Sequence, residues 1–264
     1  MNGHDRATWF AGDLDDPWVV EIADALPRDT LRFDCPADLP ETWPTDRAPP
    51  MALVLHRSTL SVTDAQRVAR LRSRAERMPR VVLCVGPHAR YVDVECWSRL
   101  VDAVIPEATA SEIIRRQALL VERRPRPTTG PRPKVTIASS NFETRATWVE
   151  VARSGGYAVE PVADPFDSAS ALPIAWDVPV LEPDWPTRLA NLARTRPVLA
   201  LLGFADRQTV IRARQAGASA CLDLPCEISD FLAVIDRLAS IRHDPAHELP
   251  PSPTAKHAKP ARRS

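Results

Sequence analysis

The stretch Pro197–Cys226, PVLALLGFADRQTVIRARQAGASACLDLPC, constrains the fold of this chain more than any other part of its sequence. It begins with a continuous apolar run, which is typical of a strand buried on both faces. A segment with the apolar spacing of an amphipathic helix follows, and Gly217 ends it, because glycine readily takes the conformation that closes a helix. A second apolar run then leads to Pro225. Strand, helix and strand in this order predict a parallel βαβ unit.

The same alternation of apolar runs and helical patterns extends over the whole chain. Apolar runs of strand length occupy residues 7–13, 30–35, 51–56, 81–86, 102–106, 134–139, 157–163, 176–182, 197–203 and 220–225. Helical patterns separate most of them; Asp16 and Pro17, for example, are typical of a helix start. Residues 36–50 carry five prolines and predict an irregular loop. Two successive sets of five βα units predict two doubly wound, flavodoxin-like α/β domains in tandem, each with a five-stranded parallel sheet.

Charge and proline content mark the domain boundaries. The formal net charge of the 264 residues is zero. Residues 123–134 nevertheless hold five basic side chains and residues 249–264 hold four, without an acidic one, which leaves 0 − 9 = −9 on the remainder. Both segments are rich in proline and poor in large apolar residues. We therefore predict domains over 1–122 and 134–244, a basic linker over 123–133 and a disordered basic tail over 245–264.

Composition argues against several classes of protein. A hydrophobic content of 44% is enough for a packed core. There is no apolar run of about 18 residues, and the first ten residues lack signal-peptide character, which predicts a cytoplasmic protein without a membrane span. None of the five cysteines falls in a CxxC pair, so we predict neither a zinc site nor disulfides and expect Cys84 and Cys221 to be buried. No Gly-rich phosphate loop or hydrolase motif is present, and no cofactor is predicted.

The second half resembles the receiver domain of response regulators, including the single-domain chemotaxis regulator, over about residues 134–242. Pro197–Cys226 carries the resemblance through PVLALL, the helix ending RQAGAS, and CLDLP. The spacing from Leu202 to Leu224 matches that between the family's switch Thr or Ser and its Lys. In the family a cis-forming Pro follows that Lys, and here Pro225 follows Leu224. Gly217 and Pro225 are thus interpreted as retained scaffold residues.

The resemblance also implies where the rest of a phosphorylation site would lie. In the second half, Ser139 and Ser140 take the place of the family's acidic pair, Glu182 that of the phosphoacceptor Asp at the third strand, and Cys221 that of the aromatic switch residue. The first half fits the family more weakly. Its corresponding positions are Gly12 and Asp13 for the acidic pair, His56 for the acceptor, Val85 for the switch hydroxyl, and Ile105 with Pro106 for the Lys-Pro pair.

The residue types at these positions do not suit phosphorylation. A working receiver needs carboxylates that converge on Mg²⁺, a hydroxyl, and a Lys for the new phosphoryl group. Here the hydroxyl and the cation of the second half are replaced by Leu202 and Leu224. We therefore predict two degenerate pseudo-receivers without enzymatic activity or metal. Such a chain would be a phosphorylation-independent adaptor or regulator in two-component-type signalling, with protein partners such as a histidine kinase, another regulator or itself.

The sequence also leaves several alternatives open. The basic tail, the linker and an arginine face predicted at Arg67, Arg70, Arg74 and Arg77 favour a nucleic-acid-associated regulator with weak, nonspecific binding. A small-molecule sensor or enzyme with a crevice at the strand ends is a third possibility. Asp13, Asp15 and Asp16 are either cation ligands or helix-cap residues. Glu182 either mimics a phosphorylated acceptor or is a polar residue at a strand end, and His56 is the other conceivable site of phosphorylation.

Overall fold

The computed structural model describes residues 7–41, 50–73, 79–86, 89, 91–120 and 132–240. The strands are β1 Thr8–Ala11, β2 Leu31–Phe33, β3 Ala52–Arg57, β4 Arg80–Val85, β5 Ala103–Pro106, β6 Lys134–Ala138, β7 Ala158–Val162, β8 Ile174–Asp177, β9 Val198–Gly203 and β10 Ala220–Leu224. The α-helices are α1 Pro17–Asp24, α2 Val62–Ser73, α3 Tyr91–Trp97, α4 Ala110–Leu119, α5 Phe142–Ser154, α6 Trp185–Ala193, α7 Arg207–Gln215 and α8 Ile228–Ser240.

The strands form two separate five-stranded sheets, and every strand pair of the described residues is parallel. The strand orders are β2-β1-β3-β4-β5 in the first sheet and β7-β6-β8-β9-β10 in the second. Both follow the 2-1-3-4-5 order of the flavodoxin-like doubly wound fold, so the predicted fold class is confirmed. Parallel pairing also places the carboxyl ends of all five strands of a sheet at one edge, which is where ligands of such folds bind.

Among the described residues between the second and third strands of each half, the helical structure is a short 3-10 turn. These turns span Pro36–Asp38 and Pro165–Asp167. Proline at the first position fits a helical start, because its missing N–H is not needed there. The proline-rich sequence from Pro36 to Pro50 was predicted as an irregular loop, and its residues 42–49 lie outside the described part of the chain.

The third strand of the second sheet is shorter than predicted. We expected it over residues 176–182, but β8 ends at Asp177. Its last ladder bond runs from the N–H of Val178 to the carbonyl of Leu201, at 2.9 Å. Pro179 then lacks the N–H that a central strand needs, so the strand cannot continue through it. Glu182 therefore lies in the segment between β8 and α6 rather than on a strand.

Buried apolar side chains of both sheets and their helices form the core. One cluster contains residues of both halves, among them Ile114 and Ala118 of α4 and Phe231 and Ile235 of α8. Cys84 and Cys221 are fully buried, as predicted. Burial raises the pKa of the Cys84 thiol, and it raises the pKa of Cys221 to about 12. These thiols are therefore protonated packing groups at neutral pH.

Some predicted segments fall partly or wholly outside the described residues. They include most of the linker 123–133, the tail 245–264, and Arg74 and Arg77 of the proposed arginine face. Of that face, the Arg67 guanidinium donates hydrogen bonds to the backbone carbonyls of Ala37 and Leu39.

Replacing Gly217 by Ala tests the helix end that the sequence predicted. Gly217 follows α7 with a φ of 96°, and a Cβ there would come within 2.9 Å of the Ala193 Cβ. We expect Gly217→Ala to lower the free energy of unfolding by about 1–2 kcal/mol, because both the backbone and the contact disfavour a side chain. Gly203→Ala is the matched control, since a Cβ at Gly203 has no heavy atom within 4 Å. Urea unfolding of both variants checks this; equal losses would contradict it.

Candidate functional site at the carboxyl edges of the two sheets

The strand register makes the two carboxyl edges comparable residue by residue. In the second sheet Ala138 pairs with Trp176, so Ser139 and Asp177 are the next residues along the two strands. In the first sheet Ala11 pairs with Leu55, so Gly12 and His56 take the same places. A Cβ added at Gly12 would lie 2.9 Å from that of His56, which agrees with this register. Asp177 and His56 are therefore equivalent positions.

Asp177, rather than Glu182, ends the third strand of the second sheet, and we therefore propose Asp177 in place of Glu182 for the acceptor position that the resemblance predicts at this strand. Its Oδ2 accepts a hydrogen bond of 2.7 Å from the hydroxyl of Ser139. The same Ser139 oxygen accepts the backbone N–H of Asn141 at 3.1 Å. Ser140 is exposed. The Asp177 carboxylate thus has a neutral hydroxyl donor as its neighbour in the predicted acidic-pair position.

Glu182 lies five residues beyond the end of β8 and is 55% exposed along its side chain. It forms an ion pair of 3.4 Å with Arg188 of α6, which also pairs with Asp164 at 2.6 Å. These contacts fit a surface carboxylate.

The other predicted positions of the second half surround the edge with apolar groups. Leu202 and Cys221 are fully buried, and Leu224 is half-buried against the core. Neither leucine can donate a hydrogen bond or a positive charge. The Leu224–Pro225 peptide bond is cis. The edge therefore lacks, at these positions, the hydroxyl and the cation that a phosphoryl group on Asp177 would need.

The edge of the first sheet contains a buried pair of polar side chains, His56 and Glu107, that the sequence did not predict. Nε2 of His56 lies 2.6 Å from Oε2 of Glu107. The exposed fractions of the two side chains are 2% and 3%. Glu107 directly follows β5, so its carboxylate occupies the same edge as His56.

The register also shows which residue of the first half corresponds to Leu224. Cys84 pairs with both His56 and Ile105, as Leu201 pairs with Asp177 and Leu222. Ile105 is therefore level with Leu222, two residues before Leu224. The residue level with Leu224 is Glu107, and not Ile105 as the resemblance suggested. By the same register Pro106 is level with Asp223 and not with Pro225, and Val85, one residue beyond Cys84, is level with Leu202.

Arg207, from the second half, completes the network around Glu107. Its Nη2 donates to Oε2 of Glu107 at 2.9 Å, and its Nε donates to Oε1. Its Nη1 donates to Asp16 at 2.7 Å. Burial acts to raise the pKa of Glu107, but the hydrogen bonds from His56 and Arg207 and the guanidinium charge outweigh it, and the pKa lies below its ordinary value. Glu107 is thus a carboxylate held in its charged form.

The acidic residues after β1 act as structural groups. Asp16 accepts the N–H of Trp18 as the N-cap of α1, in addition to its contact with Arg207. Asp13 accepts the N–H of Asp15 at 3.1 Å and is exposed. Within the described ranges, no group of three or more His, Cys, Asp or Glu side chains is arranged to hold a metal ion.

The two halves are joined around Trp18. Its indole N–H donates to the backbone carbonyl of Glu107 at 3.1 Å. The guanidinium carbons of Arg207 and Arg214 lie 5.7 and 5.4 Å from the ring centroid, within cation–π distance. Arg214 also donates to Glu21 at 2.6 and 2.9 Å. Both arginines belong to α7, so this helix is held against the first half by its charged face.

A second set of contacts joins α4 of the first half to α8. Arg116 pairs with the buried Asp230 at 2.6 Å, and the Gln117 amide donates to its other oxygen at 3.0 Å. Gln117 also donates to Glu227 at 3.2 Å. Burial raises the pKa of Asp230 and outweighs these partners. We call the contacts between the halves, around Trp18 and between α4 and α8, the joint. The joint combines apolar packing with charged groups that require specific partners on the opposite half.

Comparison with known proteins gives structural neighbours only. No protein-family model matches the chain, and no curated protein matches it. A response regulator from Thermotoga maritima is 15% identical, with a TM-score of 0.38, and the match covers 42% of this chain and all of that one. A putative pilus assembly protein from Burkholderia thailandensis is 22% identical, with a TM-score of 0.37, over 41% and 98% of the two chains. A chemotaxis protein from Vibrio cholerae is 19% identical, with a TM-score of 0.36, over 41% and 99%. At these identities, the similarity concerns the fold alone.

The described part of the chain contains no helix that is both long enough and apolar enough to cross a membrane.

Proposed function

We propose that this chain is a non-catalytic tandem pseudo-receiver, which acts as a phosphorylation-independent adaptor or regulator in two-component-type signalling through protein contacts. The observation that carries the proposal is the buried pair of His56 and Glu107, braced by Arg207 from the other half. A receiver edge needs open access for Mg²⁺ and a phosphodonor. Here a carboxylate that is 3% exposed stands at the position equivalent to Leu224, and a guanidinium already neutralises it.

The chemistry of both edges supports this assignment. A phosphoryl group on His56 would add negative charge beside Glu107, and like charges at such a distance repel strongly. A phosphoryl group on Asp177 would find a serine hydroxyl in place of carboxylates for Mg²⁺ and leucine in place of a cation. Electrostatic stabilisation of the transferring phosphoryl group, the main contribution of such sites, is missing at both edges.

The same chemistry indicates the kind of partner but not its identity. Since neither edge offers a phosphorylation-driven switch, signals would pass by binding at surfaces, with a histidine kinase, another regulator or a second copy as partner. The alternative, a nucleic-acid-associated regulator, rests on the basic linker and tail. It predicts salt-dependent binding of the full chain to generic DNA, lost when the Lys and Arg residues of 245–264 are replaced.

The proposal predicts that the protein takes up no phosphoryl group. The full chain is incubated with Mg²⁺ and a small phosphodonor such as acetyl phosphate, and its intact mass is measured. We expect the mass to stay unchanged, while a functional receiver treated in parallel gains one phosphoryl group. A gain of that mass on Asp177, His56 or Glu182 would overturn the proposal.

A further inference from the structure

Five large apolar side chains of the second half are exposed at the carboxyl edge of its sheet. Each follows the end of a different strand, from β6 to β10, and each is at least 49% exposed. They are Phe142, Phe166, Leu181, Phe204 and Ile228. Because all five strands are parallel, the segments that follow their carboxyl ends share one edge of the sheet. We call this group the apolar edge. Exposed apolar groups gathered in one region of a surface are typical of interaction sites.

Two of these residues have no evident role in folding. Leu181 is 96% exposed and Phe204 is 89% exposed. Phe204 also has a φ of 52°, a left-handed conformation that is unfavourable for a bulky side chain. Asn or Gly would fit this backbone better, so folding alone does not account for a phenylalanine there. Such strain is found preferentially at functional sites.

The charge of the same segments indicates what would cover the apolar edge. Residues 139–143, 163–168, 178–184, 204–206 and 225–229 contain seven carboxylates and no Lys or Arg. The seven are Glu143, Asp164, Asp167, Glu182, Asp184, Asp206 and Glu227.

The nearby guanidinium groups are already engaged. Arg188 pairs with Asp164 and lies 5.7 Å from the Phe166 ring centroid. Arg145 donates to the backbone carbonyl of Ser139 and lies 5.7 Å from the Phe142 ring centroid. The edge therefore presents apolar side chains within an acidic surround.

The negative charge around the apolar edge favours some binding partners over others. Nucleic-acid phosphates would be repelled by the carboxylates. A second copy in the same orientation would place carboxylate against carboxylate. A segment that carries apolar side chains flanked by Lys or Arg complements both the apolar side chains and the carboxylates of this edge. A basic amphipathic helix has an apolar stripe flanked by cations in this way.

We propose that the apolar edge of the second half binds a basic amphipathic helix of a partner protein. Its apolar stripe covers Leu181, Phe204 and their neighbours, and its cations face the carboxylates of the surrounding segments. The inference rests on the proposed function in one respect, since it gives a place on the surface to the partner binding proposed above.

The test measures binding of a labelled model peptide to the full chain by fluorescence anisotropy. The probe is a roughly 18-residue peptide of Leu and Lys in amphipathic helical spacing, about five turns long. Two comparison peptides keep the length: one has the same composition rearranged so that no apolar face forms, and one has Glu in place of Lys. We expect the probe to bind at least about tenfold more tightly than either comparison peptide. Each comparison peptide lacks the apolar face or the cations, and so it loses several central contacts with the edge.

Variants of the full chain locate the binding. The double variant Leu181→Ser and Phe204→Asn removes two exposed side chains, and Asn tolerates the left-handed backbone of position 204. We expect it to weaken binding of the probe at least about tenfold. The matched control is Leu120→Asn, because Leu120 is also exposed, at 62%, and has a φ of 47°. This control should bind the probe like the unmodified chain.

Three results would overturn the inference. They are equal binding of the probe and the rearranged peptide, an unchanged affinity of the double variant, and tighter binding after the Lys and Arg residues of 245–264 are replaced by Ser. The last result would show that the chain's own tail occupies the edge. Failure of peptide binding with an unchanged intact mass would overturn this inference alone. Phosphorylation at Asp177 would overturn the proposed function and leave the docking surface standing.

Discussion

Replacing Glu107 by Gln is expected to lower the free energy of unfolding by about 3–5 kcal/mol, the cost of removing one partner from a buried ion pair. The carboxylate is 3% exposed and accepts hydrogen bonds from Arg207, and it lies 2.6 Å from the His56 ring nitrogen. Without the charge of Glu107, the Arg207 guanidinium keeps its ion pair with Asp16 but loses its other charged partner. Urea unfolding of the full chain measures the loss.

Glu182→Gln is the matched control for this substitution. Glu182 also pairs with an arginine, but its side chain is 55% exposed. Water screens such pairs, and we expect a loss below about 1 kcal/mol. Equal losses of unfolding free energy for Glu107→Gln and Glu182→Gln would contradict the larger contribution that we assign to the buried Glu107.

The cost of Glu107→Gln should also depend on pH. The pKa of Glu107 is lower in the folded chain than its ordinary value. Its contribution is therefore fully present above the unfolded pKa, at about pH 4.3, and is lost as the pH falls through the folded pKa. The difference between the two chains should shrink in acid below that pH. Asp230, whose pKa is raised, acts with the opposite sign, but it is present in both chains and cancels in the comparison.

Rebuilding the missing groups of the second half should create phosphorylation where there was none. The variant carries Ser139→Asp, Ser140→Asp, Leu202→Thr and Leu224→Lys, which restore carboxylates for Mg²⁺, the hydroxyl and the cation around Asp177. We expect this variant to gain one phosphoryl group from acetyl phosphate and Mg²⁺, whereas the unmodified chain gains none. Intact mass and peptide mapping give the extent and the position.

Asp177→Asn in the rebuilt chain is the control, and it should abolish the gain. Circular dichroism first establishes that the rebuilt chain is folded, because Leu202 is fully buried and its replacement carries a cost in stability. Labelling of Glu182 instead of Asp177 would contradict the position that the strand register gives to the acceptor.

The fold was predictable from sequence because its signals are local. The apolar runs and the glycine at position 217 each determine a nearby element, and the parallel order then follows from the alternation of strands and helices. The end of β8 was also available in the sequence, since Pro179 cannot donate to a central strand. A strand that ends before Pro179 predicts Asp177, rather than Glu182, as the acceptor position.

The joint between the halves was not predictable in the same way. His56 and Glu107 are 51 residues apart, and Glu107 and Arg207 are 100 apart. Before the fold is known, nothing distinguishes these side chains from other charged residues at element ends. Their meeting depends on the register of β3 and β5 and on how α7 packs against the first half. Even the resemblance to receivers led to Ile105 and Pro106 rather than to Glu107, two residues beyond Ile105.

Whether the carboxyl edge of the first sheet is a joint between the halves is tested most directly by a double-mutant cycle on Glu107 and Arg207. The free energy of unfolding is measured for the unmodified chain, Glu107→Gln, Arg207→Gln and the double variant. If these residues form the joint, their losses will be non-additive, with a coupling of about 1–3 kcal/mol across 100 residues of sequence. Losses that add to within about 0.5 kcal/mol would contradict it.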